Sequence, residues 1–292
     1  MAYSTVDELL LSLGLTASTC LQYEYHNAEN FLSVLDKEYE RFEADNTRSQ
    51  YIVFHRVTSR LFDQDLLFPE NRLLTFESYF PTLEILLVKM ENERHGVASR
   101  KFGHMLVVQL SHMNNDRLDN GLMPVGTAHF QTTDRIKRAH DSFRPRRFGS
   151  SRTRHWPSLV LEVGFSEPYR KLKEDAKWWL TSSNDEVKSV VVISLNQRYR
   201  EIVVEKWINR GQPTVEYRTV ISQEAGRKKI NISNNQPLII RFDDLFLRPA
   251  NHNEHNITFS TDNWKEFADV VWESQFEQDY KQLAYYLKTT KR

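Results

Sequence analysis

Two acidic residues, Asp141 and Glu162, are the strongest candidates for chemistry in this sequence. Glu162 interrupts the apolar string WPSLVLEVG, where an unpaired charge would be costly to bury. We therefore expect Glu162 to lie at a strand end, either paired with a cation or bound to a metal. Asp141 lies upstream, in the segment leading to that strand. Two converging carboxylates provide the hard oxygen ligands that suit Mg²⁺ or Mn²⁺. Such an ion activates water and stabilises the charge that develops in phosphodiester hydrolysis.

A basic segment surrounds Asp141. Residues 135–154 hold eight Lys and Arg residues and one acid, so the segment carries +7 in a chain with 39 basic and 39 acidic residues. The basic residues are Arg135, Lys137, Arg138, Arg144, Arg146, Arg147, Arg152 and Arg154. A local patch of this kind neutralises nucleic-acid phosphates and gives salt-sensitive binding. A solvated loop without a partner is the alternative interpretation.

The pattern of apolar residues predicts an α/β protein. Residues 1–103 read as a helical region. We place a domain boundary between residues 91 and 103, and a loop within a single domain is the alternative for this stretch. Continuous apolar runs are typical of strands buried on both faces. We predict such strands at residues 105–110, 121–131, 158–163, 188–195 and 200–207. A helix is expected at residues 166–180, and a long C-terminal helix with an aromatic stripe at 264–287.

The composition excludes several classes of protein. Balanced charge argues against a histone-like protein that coats nucleic acid by bulk charge. A single cysteine, Cys20, allows neither an internal disulfide nor a thiolate zinc cluster. No stretch approaches the ~18 apolar residues of a membrane span. We therefore expect an intracellular protein, nuclear or cytoplasmic, and consider a homodimer formed through the stripe of the C-terminal helix.

The central part of the chain resembles a known superfamily. The string WPSLVLEVGFSEPYRKLKEDAKWWL, followed by VKSVVVISL and REIVVEKW, is similar to the core of the PD-(D/E)XK, or restriction-endonuclease-like, nucleases. It is most similar to uncharacterised fungal proteins and more distantly to Uma-type proteins. KRAHDSFRP and FDDLFLRP also fit the fungal pattern. The resemblance covers about residues 104–250. It implies an αβββαβ core with a mixed sheet flanked by helices. The helical N-terminal region at 1–103 and the C-terminal helix within 251–292, both predicted from the apolar pattern, flank this core.

The resemblance also implies which residues form the catalytic centre. Glu162 matches the second acid of the motif. The first acid falls at Asp141, or at the position that His140 occupies. The motif lysine would stand two residues after Glu162, where this chain has Gly164.

Many members of the superfamily carry the lysine in the following helix instead. Lys173 and Lys177 are neighbours on one face of that helix, and either one is a candidate. Glu174 or Asp175 fills the position that aligns with the displaced lysine of Uma-type proteins. Asp175 is then a candidate for a third metal ligand. For Asp175 and Lys177, an ion pair on the helix surface is the alternative.

Two functional hypotheses result. The first is a metal-dependent nuclease that uses Mg²⁺ or Mn²⁺ to cleave DNA or RNA. In it, Asp141 and Glu162 hold the ion, Lys173 or Lys177 stabilises developing charge, and arginines of the basic segment hold phosphates. The second is a catalytically inactive descendant that keeps the fold for binding nucleic acid or a protein. Gly164 and the ambiguity between His140 and Asp141 favour the second hypothesis.

Overall fold

The computed structural model describes residues 4–45, 48–67, 76–90, 93–113, 117–149, 156–165 and 168–289, with side chains described for all of these except 67, 93–95 and 277–289. The helices are α1 (Val6–Ser12), α2 (Ala28–Ala44), α3 (Ser59–Leu61), α4 (Glu93–Ser111), α5 (Tyr169–Ser182), α6 (Phe242–Phe246) and α7 (Thr261–Thr289). Across the described ranges, none of the helices has the length and apolar character needed to span a bilayer.

Fifteen strands are described. They are β1 (Leu21–Glu24), β2 (Tyr51–His55), β3 (Ser78–Phe80), β4 (Ile85–Lys89), β5 (Leu122–Pro124), β6 (His129–Gln131), β7 (Ile136–Arg138), β8 (Asp141–Pro145), β9 (Leu159–Phe165), β10 (Ser189–Leu195), β11 (Glu201–Asn209), β12 (Pro213–Gln223), β13 (Ile230–Ile232), β14 (Leu238–Ile240) and β15 (Ile257–Phe259).

The first sheet has six strands in the order β1-β2-β4-β3-β7-β6. The side chains of its second strand, β2, alternate between two apolar layers, as the two-residue period of a strand requires. Ile52 and Phe54 pack with residues of α2, whereas Tyr51 and Val53 pack with residues of α1. The N-terminal region is therefore not only helical, because β1 to β4 form two-thirds of this sheet. The remaining strands, β6 and β7, come from beyond residue 103.

The second sheet has seven strands in the order β13-β12-β11-β10-β9-β8-β5. Strands β5, β8 and β9 are antiparallel neighbours, and β10 then pairs with β9 in parallel after the crossover helix α5. Together with the preceding helix α4, these elements give the order helix, three strands, helix, strand. This mixed α/β arrangement confirms the predicted fold class.

Residues 105–110 form part of helix α4, and the prediction of a strand there is wrong. Phe102, Leu106 and Leu110 recur at helical spacing and are fully buried in the core against β9. Val107 and Val108 are 39% exposed. The run of β-branched residues suggested a strand, but packing of one helical face outweighs this local preference.

Helix α7 packs on the same face of the second sheet as α4. Trp264, Phe267 and Trp272 of its aromatic stripe are at most 1% exposed. These three aromatic side chains are buried in the core of the protein, so they are not available for a dimer interface.

The assignment of residues 105–110 to a helix predicts unequal effects for two substitutions. Leu106→Ala should lower the free energy of unfolding by about 2–5 kcal/mol, because it opens a cavity in the core. Val108→Ala should change it by less than about 0.5 kcal/mol, because Val108 is partly exposed. Urea unfolding of both variants measures the difference. On a strand the two side chains would share a face, so similar large losses would contradict the helix.

Candidate functional site, a buried charge network

The two carboxylates predicted to share a metal lie on opposite faces of the second sheet. Asp141 pairs with Leu161 across β8 and β9, and successive residues of a strand point to opposite faces. Asp141 therefore shares the face of Leu161, whereas Glu162 lies on the other. The side chain of Asp141 points towards α4, since a Cβ atom added to Gly103 would lie 3.6 Å from its Oδ2. Burial raises the pKa of Asp141. The structure does not bring Asp141 and Glu162 together.

His140, the neighbour of Asp141, lies beside Glu162 instead. Its Nδ1–H donates to Glu162 Oε2, and its Nε2 accepts from Lys89 Nζ at 2.9 Å. Lys89 also donates to the carbonyl oxygen of Val163 at 3.1 Å. Burial and the positive charges of Lys89 and Lys137 hold the pKa of His140 well below its usual value. The imidazole is therefore neutral, with its proton on the nitrogen that faces Glu162.

The ammonium group of Lys137 occupies the centre of three carboxylates. Lys137 Nζ lies 2.5 Å from Glu77 Oε1, 3.1 Å from Asp175 Oδ2 and 3.3 Å from Glu162 Oε1. Burial alone would lower the pKa of Lys137, but the three carboxylates outweigh this effect and raise it. These carboxylates come from the segment before β3, from β9 and from α5. Lys137 thus takes a position among acidic oxygens that a metal ion could take in another protein.

Two further cations complete the charge network, which we define as Glu77, Arg135, Lys137, Glu162, Lys171 and Asp175. Lys171 Nζ lies 2.5 Å from Asp175 Oδ2 and 2.9 Å from Glu77 Oε1. Arg135 Nη2 lies 3.0 Å from Asp175 Oδ1 and 3.3 Å from Glu77 Oε1. Burial would raise the pKa of Glu77, but the three cations hold it well below its usual value. Three positive and three negative charges therefore cancel inside the protein.

The residues around Glu162 do not fit a divalent metal ion. Glu162 Oε1 accepts the indole Nε1–H of Trp179 at 2.5 Å and also faces Lys137, while Oε2 accepts from His140. A Mg²⁺ or Mn²⁺ ion needs carboxylate oxygens that face it without competing cations. Within the described ranges, no three His, Cys, Asp or Glu side chains are arranged to hold a metal.

The lysines predicted on helix α5 lie elsewhere. Lys177 Nζ pairs with Glu174 Oε1 at 2.9 Å, and its side chain is 45% exposed. Lys173 Nζ lies 4.3 Å from the centre of the Tyr169 ring. Neither lysine is among the contacts described for Glu162. Asp175, by contrast, is 1% exposed and belongs to the charge network. It is not a surface residue.

Sequence reasoning missed the roles of Lys137, Lys171 and Glu77. Lys137 stood among the residues of a basic segment that looked solvent-exposed, yet it is fully buried. The spacing of Lys171 and Asp175, four residues apart on one helix, is a local signal for a pair. Glu77 lies 60 positions from Lys137 in the sequence, and no local pattern links them.

The rest of the basic segment divides between two surfaces. Arg146 and Arg147 are exposed and line a cavity of about 430 Å³ together with Arg117 and Arg248. We call these four residues the arginine groove. Arg144 is partly buried, with Nη2 3.6 Å from Met123 Sδ. Arg138 lies over the ring of Phe76 in a separate cavity. Arg152 and Arg154 fall outside the described residues.

Comparisons with known proteins give little further information. No family model matches the chain, and a search of curated proteins finds no match. A solved structure that the chain resembles is a DUF820 protein from Anabaena variabilis, provisionally assigned as a nuclease. The TM-score is 0.37 at 10% identity, covering 71% of this chain and 98% of the other. A similarity this low does not support a conclusion about the function of this chain. The similarity to fungal proteins stays a prediction.

The three-carboxylate environment predicts that Lys137 is essential for stability. Lys137→Met would leave three buried carboxylates with two cations, and removal of one partner from a buried pair costs about 3–5 kcal/mol. Lys177→Met is the matched control, because its pair with Glu174 is partly exposed and should contribute about 0–1 kcal/mol. Urea unfolding of both variants measures the losses. A loss below about 1 kcal/mol for Lys137→Met would contradict the network.

The neutral state of His140 predicts a dependence of stability on pH. The folded-state pKa is lowered, so the unfolded chain binds more protons below about pH 6.5. The stability due to this residue is fully present above that pH and is lost as the pH falls towards the folded-state pKa. The slope is at most about 1.4 kcal/mol per pH unit.

His140→Asn keeps an N–H donor for Glu162 and removes the titrating group. Urea unfolding of wild type and variant at several pH values between 7 and 5 measures the difference. The curve of the variant should be flatter, and parallel curves would show that His140 is not held neutral.

Proposed function

We propose that this chain is a nuclease-fold protein that binds nucleic acid and does not hydrolyse it at the Glu162 position. The observation that carries the proposal is the set of groups around Glu162. Both carboxylate oxygens already accept from the protein, through Trp179, His140 and Lys137. A metal ion and its activated water would have to displace these groups from a fully buried position.

His140, one of the two candidates for the position of the first acid, supports the same proposal. It directly precedes β8 and donates a hydrogen bond to Glu162 rather than offering a second carboxylate. Gly164, two residues after Glu162, supplies no lysine. Lys137 places an ammonium beside Glu162, but that ammonium lies among the acids as their counter-ion. A carboxylate and a lysine, the residue types of the superfamily motif, are thus present, but here they form a buried ion pair that stabilises the fold.

The arginine groove supports nucleic acid as the partner. Arg146 and Arg147 follow β8, Arg117 precedes β5 and Arg248 follows α6, so several elements bring positive charge to one surface. Arg146 Nη1 donates to the carbonyl oxygen of Asn120, which orients its side chain. Arg248 is paired with Glu254 at 2.6 and 2.7 Å, so Arg117, Arg146 and Arg147 supply the net positive charge of the groove. Guanidinium groups match phosphate geometry and bind it through paired hydrogen bonds.

The groove and the charge network lie at opposite ends of β8. His140 and Arg146 are six residues apart, which corresponds to about 20 Å along an extended chain. Backbone phosphates held by the groove would therefore lie well away from Glu162. This separation is consistent with binding through surface charge. A phosphodiester bond of a strand held in the groove would not lie beside the Glu162 carboxylate.

The proposal predicts salt-sensitive binding that depends on the groove. Fluorescence anisotropy with labelled single-stranded DNA, duplex DNA and RNA over about 50–200 mM salt measures affinity and its salt slope. Arg146→Ala/Arg147→Ala should weaken binding and reduce the slope by about one to two units. Arg210→Ala/Arg227→Ala removes the same charge from other exposed arginines and should leave both values nearly unchanged.

A cleavage assay distinguishes the two functional hypotheses. The same substrates are incubated with wild type and Glu162→Gln in Mg²⁺ or Mn²⁺. We expect intact substrates with both proteins. Metal-dependent cleavage that is lost in Glu162→Gln would show an active nuclease and overturn the proposal. If both double arginine variants lost nucleic-acid affinity equally, the arginine groove would not be the binding site.

A further inference from the structure

A second cavity lies where the two sheets meet. It has a volume of about 360 Å³ and is enclosed by helix α2, the end of β4 and the segment joining β7 to β8. Its lining includes Tyr39, Phe76, Lys89, Met90, Arg138 and His140. Ligand sites in proteins span about 300–1,000 Å³, so this cavity suits a small molecule. We call it the Arg138 cavity.

Arg138 provides the strongest polar feature of the cavity. Its guanidinium carbon lies 4.5 Å from the centre of the Phe76 ring, which fixes the side chain by a cation–π contact. Its Nε is buried and has no hydrogen-bond partner within the described part of the chain. Burial lowers the pKa of Arg138, because loss of water disfavours its charged form. An arginine nevertheless stays charged in proteins, so this side chain presents a positive group to the cavity.

Two cations, Arg138 and Lys89, line the inner part of the cavity, where Lys89 lies beside the neutral His140. Glu77 also contributes to the lining. Lys137, Lys171 and Arg135 surround its Oε1 from the protein interior, whereas its Oε2 is buried without a hydrogen-bond partner in the described part of the chain. Asp36 is exposed on α2 at the rim. An anion entering the cavity would meet the cations after passing this carboxylate.

From this arrangement we infer that the Arg138 cavity binds a phosphate monoester attached to a small, flat or apolar body. The guanidinium and ammonium groups match the charge and the acceptor oxygens of a phosphate. Phe76, Val88 and Met90 supply apolar surface for the attached body. A free mononucleotide and the terminal phosphate of a nucleic-acid strand both present this chemistry.

The inference is independent of the arginine groove. The groove lies beyond the C-terminal end of β8, whereas Arg138 and His140 precede its start. Substitutions in the two sites can therefore be compared without overlap. Loss of one activity with retention of the other separates this inference from the proposed function.

Isothermal titration calorimetry tests the cavity with four probes. They are adenosine monophosphate, adenosine, and a trinucleotide with either a 5′-phosphate or a 5′-hydroxyl group. We expect adenosine monophosphate to bind and adenosine not to bind. Binding of the 5′-phosphorylated trinucleotide alongside the mononucleotide would identify strand ends as a source. Binding of the mononucleotide alone would identify a free nucleotide.

Three variants test the residues that carry the inference. Arg138→Met keeps the apolar stem over Phe76 and should weaken binding of the monophosphate roughly tenfold or more, because a hydrogen bond to a charged group is lost. Asp36→Asn removes the rim carboxylate and should strengthen binding. Arg210→Ala/Arg227→Ala removes two exposed arginines outside both sites and should leave it unchanged. Thermal unfolding confirms that each variant is folded.

Three results would overturn the inference. They are no heat from adenosine monophosphate at millimolar concentration, equal binding of adenosine, and unchanged affinity in Arg138→Met. Weaker binding in Asp36→Asn would also contradict the inference, because removal of a negative charge from the rim should favour an anion in the cavity.

Discussion

The ammonium group of Lys137 among three carboxylates is the interaction on which the rest of the structure depends. Lys137 belongs to β7 of the first sheet, Glu162 to β9 of the second, and Asp175 to helix α5. The network therefore joins both sheets through groups that are almost without solvent. Buried charges are costly to dehydrate and are tolerated only when they are paired with good geometry. Moving one sheet relative to the other would leave carboxylates without cations, so the network defines how the sheets meet.

The same interaction occupies the carboxylates at which the sequence resemblance placed a metal ion. In the superfamily that the sequence resembles, acids at this position serve a divalent metal ion. Here the acids face Lys137, Lys171 and Arg135, and Glu162 also accepts from Trp179 and His140. The protein's own cations thus take the place of an external one. Positive charge that could contact a ligand lies instead in the arginine groove and the Arg138 cavity, at the two ends of β8.

The sequence predicted the order of helices and strands better than it predicted which residues contact Glu162. The apolar strings at β9 and β10, with the helix between them, are strong periodic signals, and the structure has them where they were expected. At residues 105–110 the local preference for a strand lost to packing of Leu106 and Leu110 in the core. The burial of Glu162 indicated that it needs a partner. Which residues supply it depends on strand register and on contacts across 60 positions, as for Glu77 and Lys137, and the chain carries no local signal for these.

The most direct test of the central claim is a titration of Mn²⁺ into the wild-type protein, followed by electron paramagnetic resonance of the free ion. If Lys137 fills the position among the carboxylates, the signal of free Mn²⁺ should rise in proportion to the amount added, with no stoichiometric site. A single tight site that disappears in Glu162→Gln would contradict the account, because it would show that a metal ion displaces the ammonium and that the centre is still that of a metal-dependent enzyme.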